Sequence, residues 1–352
     1  MRAGVRSLSV YNHMFLPAHF GDPDAEYRQL IDGVVMWDVA AQRQVEISGP
    51  DAARLVQYLT PRNLAGTKVG QGRYVPICNH DGLMINDPVL LKLAEDRFWL
   101  SVADSDIHLW AAAIGRERGW DVRVTEPDVS PLAVQGPKAV EVIAGLFGDW
   151  VRDLRYFAFR ETELDGIPLV LARSGWSKQG GYELYLTDSR HGSALWDKVA
   201  EAGRPFGIIP GAPNDVERVE SGLVSYGADM RLQVAPANPF EMGLGALVDL
   251  AGGHEFVGRT ALAALAAHPP ARLRTGYMVA GNPPLPGHQV AVMQDGAQVG
   301  ILSEMVFSPR LGRTIGLGMI RADLLTSPAL TAALPDGAVG ISPTPLPFAI
   351  PA

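Results

Sequence analysis

Residues 173–186 read RSGWSKQGGYELYL, two apolar runs around a turn that holds a tryptophan, a lysine and two adjacent glycines. A strand period of two sends Tyr182, Leu184 and Leu186 to one face and Glu183 and Tyr185 to the other. Two faces of different character on one short strand fit a wall of a polar cavity. They also fit a plain hairpin with a solvated Glu183 above core aromatics, and spacing alone favours the plain hairpin. Gly180 and Gly181 fit a turn that needs positive φ or a close approach of a ligand to the backbone.

Working outward, residues 167–172 and 182–186 are expected as the strands flanking this turn, and residues 97–103 as another. Helices are expected over residues 51–59, 107–118, 137–147 and 193–202. Residues 214–226 (NDVERVESGLVSY) predict a further helix, capped by Asn214, with Val216, Val219 and Leu223 on one face. After residue 271 short β-rich runs alternate with turns, and Asp295-Gly296 between apolar runs is a strong hairpin signal. This region predicts a small β-barrel. The Ala/Pro-rich residues 261–270 read as a connector. The mixture of strands and helices before residue 262 predicts α+β layers rather than strict βαβ alternation.

The chain has 352 residues, a length that favours two or three domains. A formal charge of −8 gives no net field to draw in nucleic acid or an anionic membrane. The one cysteine, Cys78, permits no internal disulfide and fits a reducing compartment. Its expected role is that of a small buried hydrophobe. No signal-peptide pattern opens the sequence, and no apolar run reaches the roughly 20 residues of a membrane span. A cytoplasmic place is expected. No Cys/His spacing suits a metal, so none is expected. GQGRYV at Gly70 and GLGALV at Gly243 lack the third glycine of a dinucleotide fingerprint. P-loop, HExxH and GxSxG patterns are absent.

Several segments together resemble the aminomethyltransferase family, the glycine-cleavage T-proteins and their tetrahydrofolate-using relatives. They are MWDVAAQRQVEISGPDAARLVQYLTPRNL from Met36, HDGLMINDPVLLKL from His80, DVSPLAVQGPKA from Asp128, and the quoted turn. Further on come NDVERVESGLVSYGADM, NPFEMGLGALVDL, FVGRTAL and GILSEMVFSPRLGRTIGLGMI. The likeness runs through nearly the whole chain in order. It implies a multi-domain α+β fold. Residues 1–262 would form two interleaved subdomains binding folate and substrate, and residues 271–352 the barrel. Within the family, VYNHMFLP, GWSKQGGYELY and VADSDI most resemble the dimethylsulfoniopropionate demethylases.

The resemblance carries roles onto matching positions. Glu183 falls on the pterin-binding glutamate, where a carboxylate can accept paired N–H donors. Arg218 falls on an arginine of the folate site, with an intrahelical pair to Glu217 or Glu220 as its plain alternative. Tyr74 falls on a folate-contacting tyrosine, with core packing as the alternative. T-proteins usually carry two adjacent aspartates where this chain has Asn86-Asp87, the pair expected at the catalytic position. Asparagine cannot move a proton as a carboxylate does, and Asp87, one residue on, would face the other side of a strand. A sulfonium donor tolerates that loss, since it departs as a neutral thioether, whereas an aryl ether needs an acid for its leaving oxygen. Trp176 and Tyr185 are carried over as substrate residues, the indole as one wall for a cation. Lys178 is a candidate for the substrate carboxylate or the folate tail. Tyr11, Phe15 and Trp150 are further substrate-site candidates, as readily structural.

The implied activity is tetrahydrofolate-dependent methyl transfer from dimethylsulfoniopropionate, giving methylmercaptopropionate and 5-methyltetrahydrofolate. Alternatives are a betaine-like ammonium or aryl ether donor, aminomethyl transfer, or a non-catalytic folate-binding factor. The last is disfavoured because GGHEFVGRTAL lacks the cysteine of the iron–sulfur assembly relatives. A flavin amine oxidase fusion is disfavoured by the missing dinucleotide module. The expected partners are the folate and a small-molecule substrate, with no nucleic acid or membrane, and a homodimer as the oligomeric form to test.

Overall fold

The computed structural model describes residues 4–350, in two compact units. The first takes residues up to 59, 64–75 and 86–214. The second takes residues 60–63, 76–85 and those from 215 onward.

The first unit is layered. A six-stranded sheet runs in the order Phe159–Leu164, Ile167–Ala172, Gly181–Leu186, Ser130–Gln135, Val35–Asp38, Ile209–Gly211. All neighbours are antiparallel except the last pair. Strand alternation gives this sheet two apolar faces. One face, with Tyr182, Leu184 and Leu186, packs on the helices Ala139–Phe147 and Gly192–Gly203 through Val142, Ile143, Leu195 and Val199. Each leucine so buried contributes on the order of 2 kcal/mol. The other face, with Val170, Ala172 and Tyr185, meets Leu91, Leu93 and Trp99. Those residues belong to an antiparallel five-stranded sheet ordered Arg123–Thr125, Gln44–Ser48, Arg97–Ser101, Val89–Ala94, Gln71–Tyr74. The face carrying Glu183 and Tyr185 is therefore sandwiched between sheets, and Glu183 is not solvated.

The second unit holds a closed six-stranded barrel ordered Arg272–Val279, Arg313–Arg321, Ala297–Ser308, Val290–Gln294, Leu330–Leu334, Gly337–Thr344. Gln294 pairs with Ala297, and the two residues between them, Asp295 and Gly296, both take positive φ, 49° and 80°. That is the backbone a tight hairpin of right-handed twist demands. The helix Asp215–Ser221 packs by Val219 on Val306, Ile315 and Leu317.

Two expectations are corrected. The helix expected over residues 214–226 stops at Ser221, because Gly222 turns left-handed at φ 63°. Leu223 therefore lies outside it. The Ala-rich stretch read as a connector is largely the helix Arg259–Ala266, since alanine is the strongest helix former and the prolines come only afterwards. Among the described residues no helix is long and apolar enough to cross a membrane.

Candidate active site

Glu183 sits mid-strand, opposite Ala133 on one side and Ala172 on the other. It is 5% exposed. Its Oε2 accepts two hydrogen bonds, from Ser174 Oγ at 2.5 Å and from the Tyr185 hydroxyl at 2.9 Å. Burial pushes the carboxyl pKa up, and the two hydroxyl donors pull against that shift. An oxygen has two lone pairs. Oε2 is therefore filled, and a ligand N–H would be accepted at Oε1.

Tyr185, expected against the substrate, is fully buried, its ring 6.2 Å from that of Trp99 and its hydroxyl on Glu183. Burial and then the neighbouring Glu183 charge hold its phenol well above the usual range, so it stays a donor. Its role here is to orient the carboxylate.

The five-stranded sheet brings a second group alongside. Tyr74, Val89, Ser101 and Gln44 stand opposite one another across successive strands, and so share a face. Val89 packs in the cluster that holds Tyr185, and Ser101 is one of the hydroxyls that act on Tyr185. The row thus places Tyr74 on the face that looks toward Tyr185. The Tyr74 hydroxyl donates to Asp87 Oδ2 at 2.9 Å.

Asn86 is fully buried. Its Nδ2 donates to Ala103 O (3.0 Å) and Ser105 Oγ (2.8 Å). Its Oδ1 accepts from Asp87 N (2.9 Å) and Ala103 N (3.0 Å). All four hydrogen-bonding positions of the amide are occupied. Asn86, expected with Asp87 at the catalytic position, thus holds the backbone N–H of Asp87 and the Ala103 backbone.

Tyr11 ends the first strand of the hairpin Ser7–Tyr11/Met14–His19. The two turn residues, Asn12 and His13, take φ of 50° and 62°. The Asn12 side chain donates to Ala41 O and Val102 O, and its N–H to Asp104 Oδ1 at 2.8 Å. That anchor sets Tyr11 beside the carboxylates. Burial, then the charges of Asp87 and Asp104, push its phenol pKa up. Phe15 lies opposite Val10 across the hairpin and is 75% exposed.

Trp176 and Lys178 both lie on the turn between the strands Ile167–Ala172 and Gly181–Leu186, the indole half-buried and the lysine exposed. Trp150 donates its indole N–H to Phe147 O and has Arg160 over its ring at 4.9 Å, which gives it a structural role. Arg218 belongs to the second unit and is 1% exposed. It pairs with neither helix glutamate. Its Nη1 reaches both Asp229 oxygens at 3.2 Å and Leu223 O at 3.2 Å, and its Nη2 reaches Glu304 at 3.4 Å. Burial disfavours the charge, but Asp229, Glu304 and Asp215 overcome it and raise the pKa. The arginine expected at the folate site is thus held on carboxylates of its own unit, the buried Asp229 and the part-exposed Glu304 and Asp215. Cys78 is buried, its thiol pushed up to about 12 by desolvation, and is no nucleophile.

Sequence reasoning missed Ser174, Asn12 and Gln135. Only Gln135 left a signal, as a lone amide ending the apolar run SPLAVQ.

The GCVT N-terminal domain model matches residues 2–252, and the glycine cleavage T-protein C-terminal barrel domain model matches residues 272–349. The dimethylsulfoniopropionate demethylase DmdA of Ruegeria pomeroyi is 42% identical over 336 residues, 95% of this chain and 91% of the relative. An aminomethyltransferase of Streptomyces avermitilis is 30% identical, over 87% of this chain and 83% of its own. The crystal structure of the glycine cleavage system aminomethyltransferase T from Bartonella henselae superposes with a TM-score of 0.84, covering 99% of this chain and 95% of its own. At 23% identity that likeness speaks for the fold alone.

Proposed function

The chain belongs to the glycine cleavage T-protein family, and from that premise we propose that it demethylates dimethylsulfoniopropionate with tetrahydrofolate as methyl acceptor. The observation that carries this reading is the 42% identity to a dimethylsulfoniopropionate demethylase along 95% of the chain. The balance is simple. The carbon–sulfur bond breaks with its electron pair left on sulfur, which becomes a neutral thioether and leaves methylmercaptopropionate as its carboxylate anion. The bond formed is from the methyl carbon to N5 of the folate, whose proton is released, giving 5-methyltetrahydrofolate.

The residues fit such a pair of substrates. Glu183 offers Oε1 to an N–H of the pterin edge, with Oε2 held by Ser174 and Tyr185. Trp176, on the adjoining turn, supplies an aromatic face worth about 0.5–2 kcal/mol to a sulfonium. Lys178 serves the substrate carboxylate. Asp87, which accepts a hydrogen bond from the Tyr74 hydroxyl, is the carboxylate this reading assigns to take the N5 proton. Leaving-group departure needs no acid, which suits a site whose residue 86 is an amide with every hydrogen-bonding position in use. A cytoplasmic place belongs to the same reading, with one cysteine and no disulfide to need an oxidising compartment.

The test is purified protein with tetrahydrofolate and, in parallel, dimethylsulfoniopropionate, glycine betaine or an aryl methyl ether. Formation of 5-methyltetrahydrofolate and methylmercaptopropionate from the sulfonium is expected. Turnover of betaine or ether without turnover of the sulfonium overturns the assignment.

A further inference from the structure

We infer that Gln135 is the positioning residue of this site, a buried amide around which the Trp176 turn is folded and on which the placement of Trp176 and Glu183 depends. The inference rests on the function proposed above for its catalytic consequence, but not for its geometry.

Gln135 ends the strand Ser130–Gln135 and is fully buried. Its Nε2 donates to Ser174 O at 3.1 Å and to Tyr182 O at 3.4 Å. Its Oε1 accepts from Ser177 Oγ at 2.8 Å. One side chain thus holds the start of the turn, its middle, and the first part of the strand that carries Glu183. The next backbone link, Gly136 N to Gly180 O at 2.9 Å, closes the far end.

The glycines explain why the turn can wrap so closely. A Cβ on Gly175 would lie 2.1 Å from Gln135 Nε2, and one on Gly181 would lie 2.4 Å from the same atom. Both take positive φ, 145° and 156°. The amide is therefore clasped between two glycines that no larger residue can replace without moving it. A buried amide with both N–H groups and its carbonyl paired fixes a local structure; half-paired, it disrupts one. The residues it fixes are the ones with chemistry: Ser174 donates to Glu183, and Trp176 and Lys178 lie between Ser174 and Gly180.

The mechanism of action is indirect. No atom of Gln135 is exposed to a substrate. Loss of the clasp would let the indole and the Ser174 hydroxyl shift relative to the Glu183 strand, and a shift of about 1 Å at a reacting pair costs roughly 100-fold in rate.

The experiment uses Gln135→Met, which keeps length and volume and removes the amide. Trypsin cleavage after Lys178 reports the turn without any substrate, and should accelerate roughly tenfold or more as the turn opens locally. The kcat/KM for dimethylsulfoniopropionate should fall about 10- to 100-fold. In a Trp176→Ala background the same Gln135→Met change should cost clearly less than in wild type, the remainder being the share that acts through Ser174 and Glu183, since coupled residues are not additive. Ser177→Ala, which removes one of the three bonds, gives the same pattern at smaller amplitude should Gln135→Met fail to fold. Unchanged proteolysis overturns the inference, and so do losses that multiply in full in the Trp176→Ala background. Accelerated proteolysis in a protein that never turns over the sulfonium would leave the clasp standing and sink the assigned reaction instead.

Discussion

Glu183 carries a carboxyl that its surroundings resist ionising, because burial outweighs the two hydroxyl donors on Oε2 and raises its pKa. The folded state then holds that proton more tightly than the unfolded chain does, so this residue's contribution to stability falls as pH rises above the ordinary glutamate range. Glu183→Gln keeps an oxygen for Ser174 and Tyr185 and removes the charge. Thermal melts should show the variant at least as stable as wild type, with its advantage growing as pH rises above that range. Its tetrahydrofolate affinity should drop about 10- to 100-fold, the worth of a charge-assisted hydrogen bond. A variant that binds folate normally would remove Glu183 from the folate site. Trp176→Ala should instead raise the KM for the sulfonium by about 3- to 30-fold and leave folate affinity near wild type. Equal effects on both ligands would show the two roles wrongly divided. Asn86→Asp, which restores the acidic pair usual in T-proteins, should give no aminomethyl transfer. It removes both Nδ2 donors from Ala103 O and Ser105 and puts a second carboxylate beside Asp87, a loss on the order of 2 kcal/mol in denaturant unfolding.

At the scale of the element, what the sequence revealed was local. The alternation in YELYL grouped Tyr182, Leu184 and Leu186 on one face, the one that packs on helices, and Asp295-Gly296 announced its turn, because period two and positive φ are properties of neighbours in the chain. The Ala-rich helix and the early stop at Gly222 are local too, but were masked by nearby prolines and by an apolar face that continues past the stop. The contact of Gln135 with residues 174, 177 and 182 could not be read in advance. It depends on the register of the strand Ser130–Gln135 against Gly181–Leu186, which are about 50 residues apart in sequence. The contact of the Tyr185 ring with Trp99 was hidden for the same reason, since Trp99 belongs to another sheet. The barrel holds its own anomaly. Tyr277 is fully buried in the barrel core, and its hydroxyl meets no hydrogen-bond partner among the described residues. Tyr277→Phe removes that unpaired group and should stabilise the protein by about 1 kcal/mol in denaturant unfolding. Destabilisation instead would mean that the hydroxyl is paired in solution.

At the scale of the whole molecule, the candidate residues divide unevenly between the two units. Glu183, Ser174, Trp176, Tyr74 and Asp87 all belong to the first, and Arg218 to the second. Arg218 is held among Asp215, Asp229 and Glu304, while Asp229 is shared with Arg274 at 3.1 Å. Within this set Arg218 and Asp229 are the buried pair, and pulling the guanidinium away to a ligand would cost that contact, so the arrangement favours a guanidinium that stays where it is. A ligand bound to the native state alone stabilises it by about 2.7 kcal/mol at a hundredfold excess over its Kd. With tetrahydrofolate at that level, hydrogen exchange should slow over residues 71–74, 86–87 and 173–186. Exchange over residues 215–229 should change only as much as global stabilisation requires. Protection concentrated on the Arg218 helix would make that arginine a folate ligand after all, and would mean that its ring of carboxylates opens on binding.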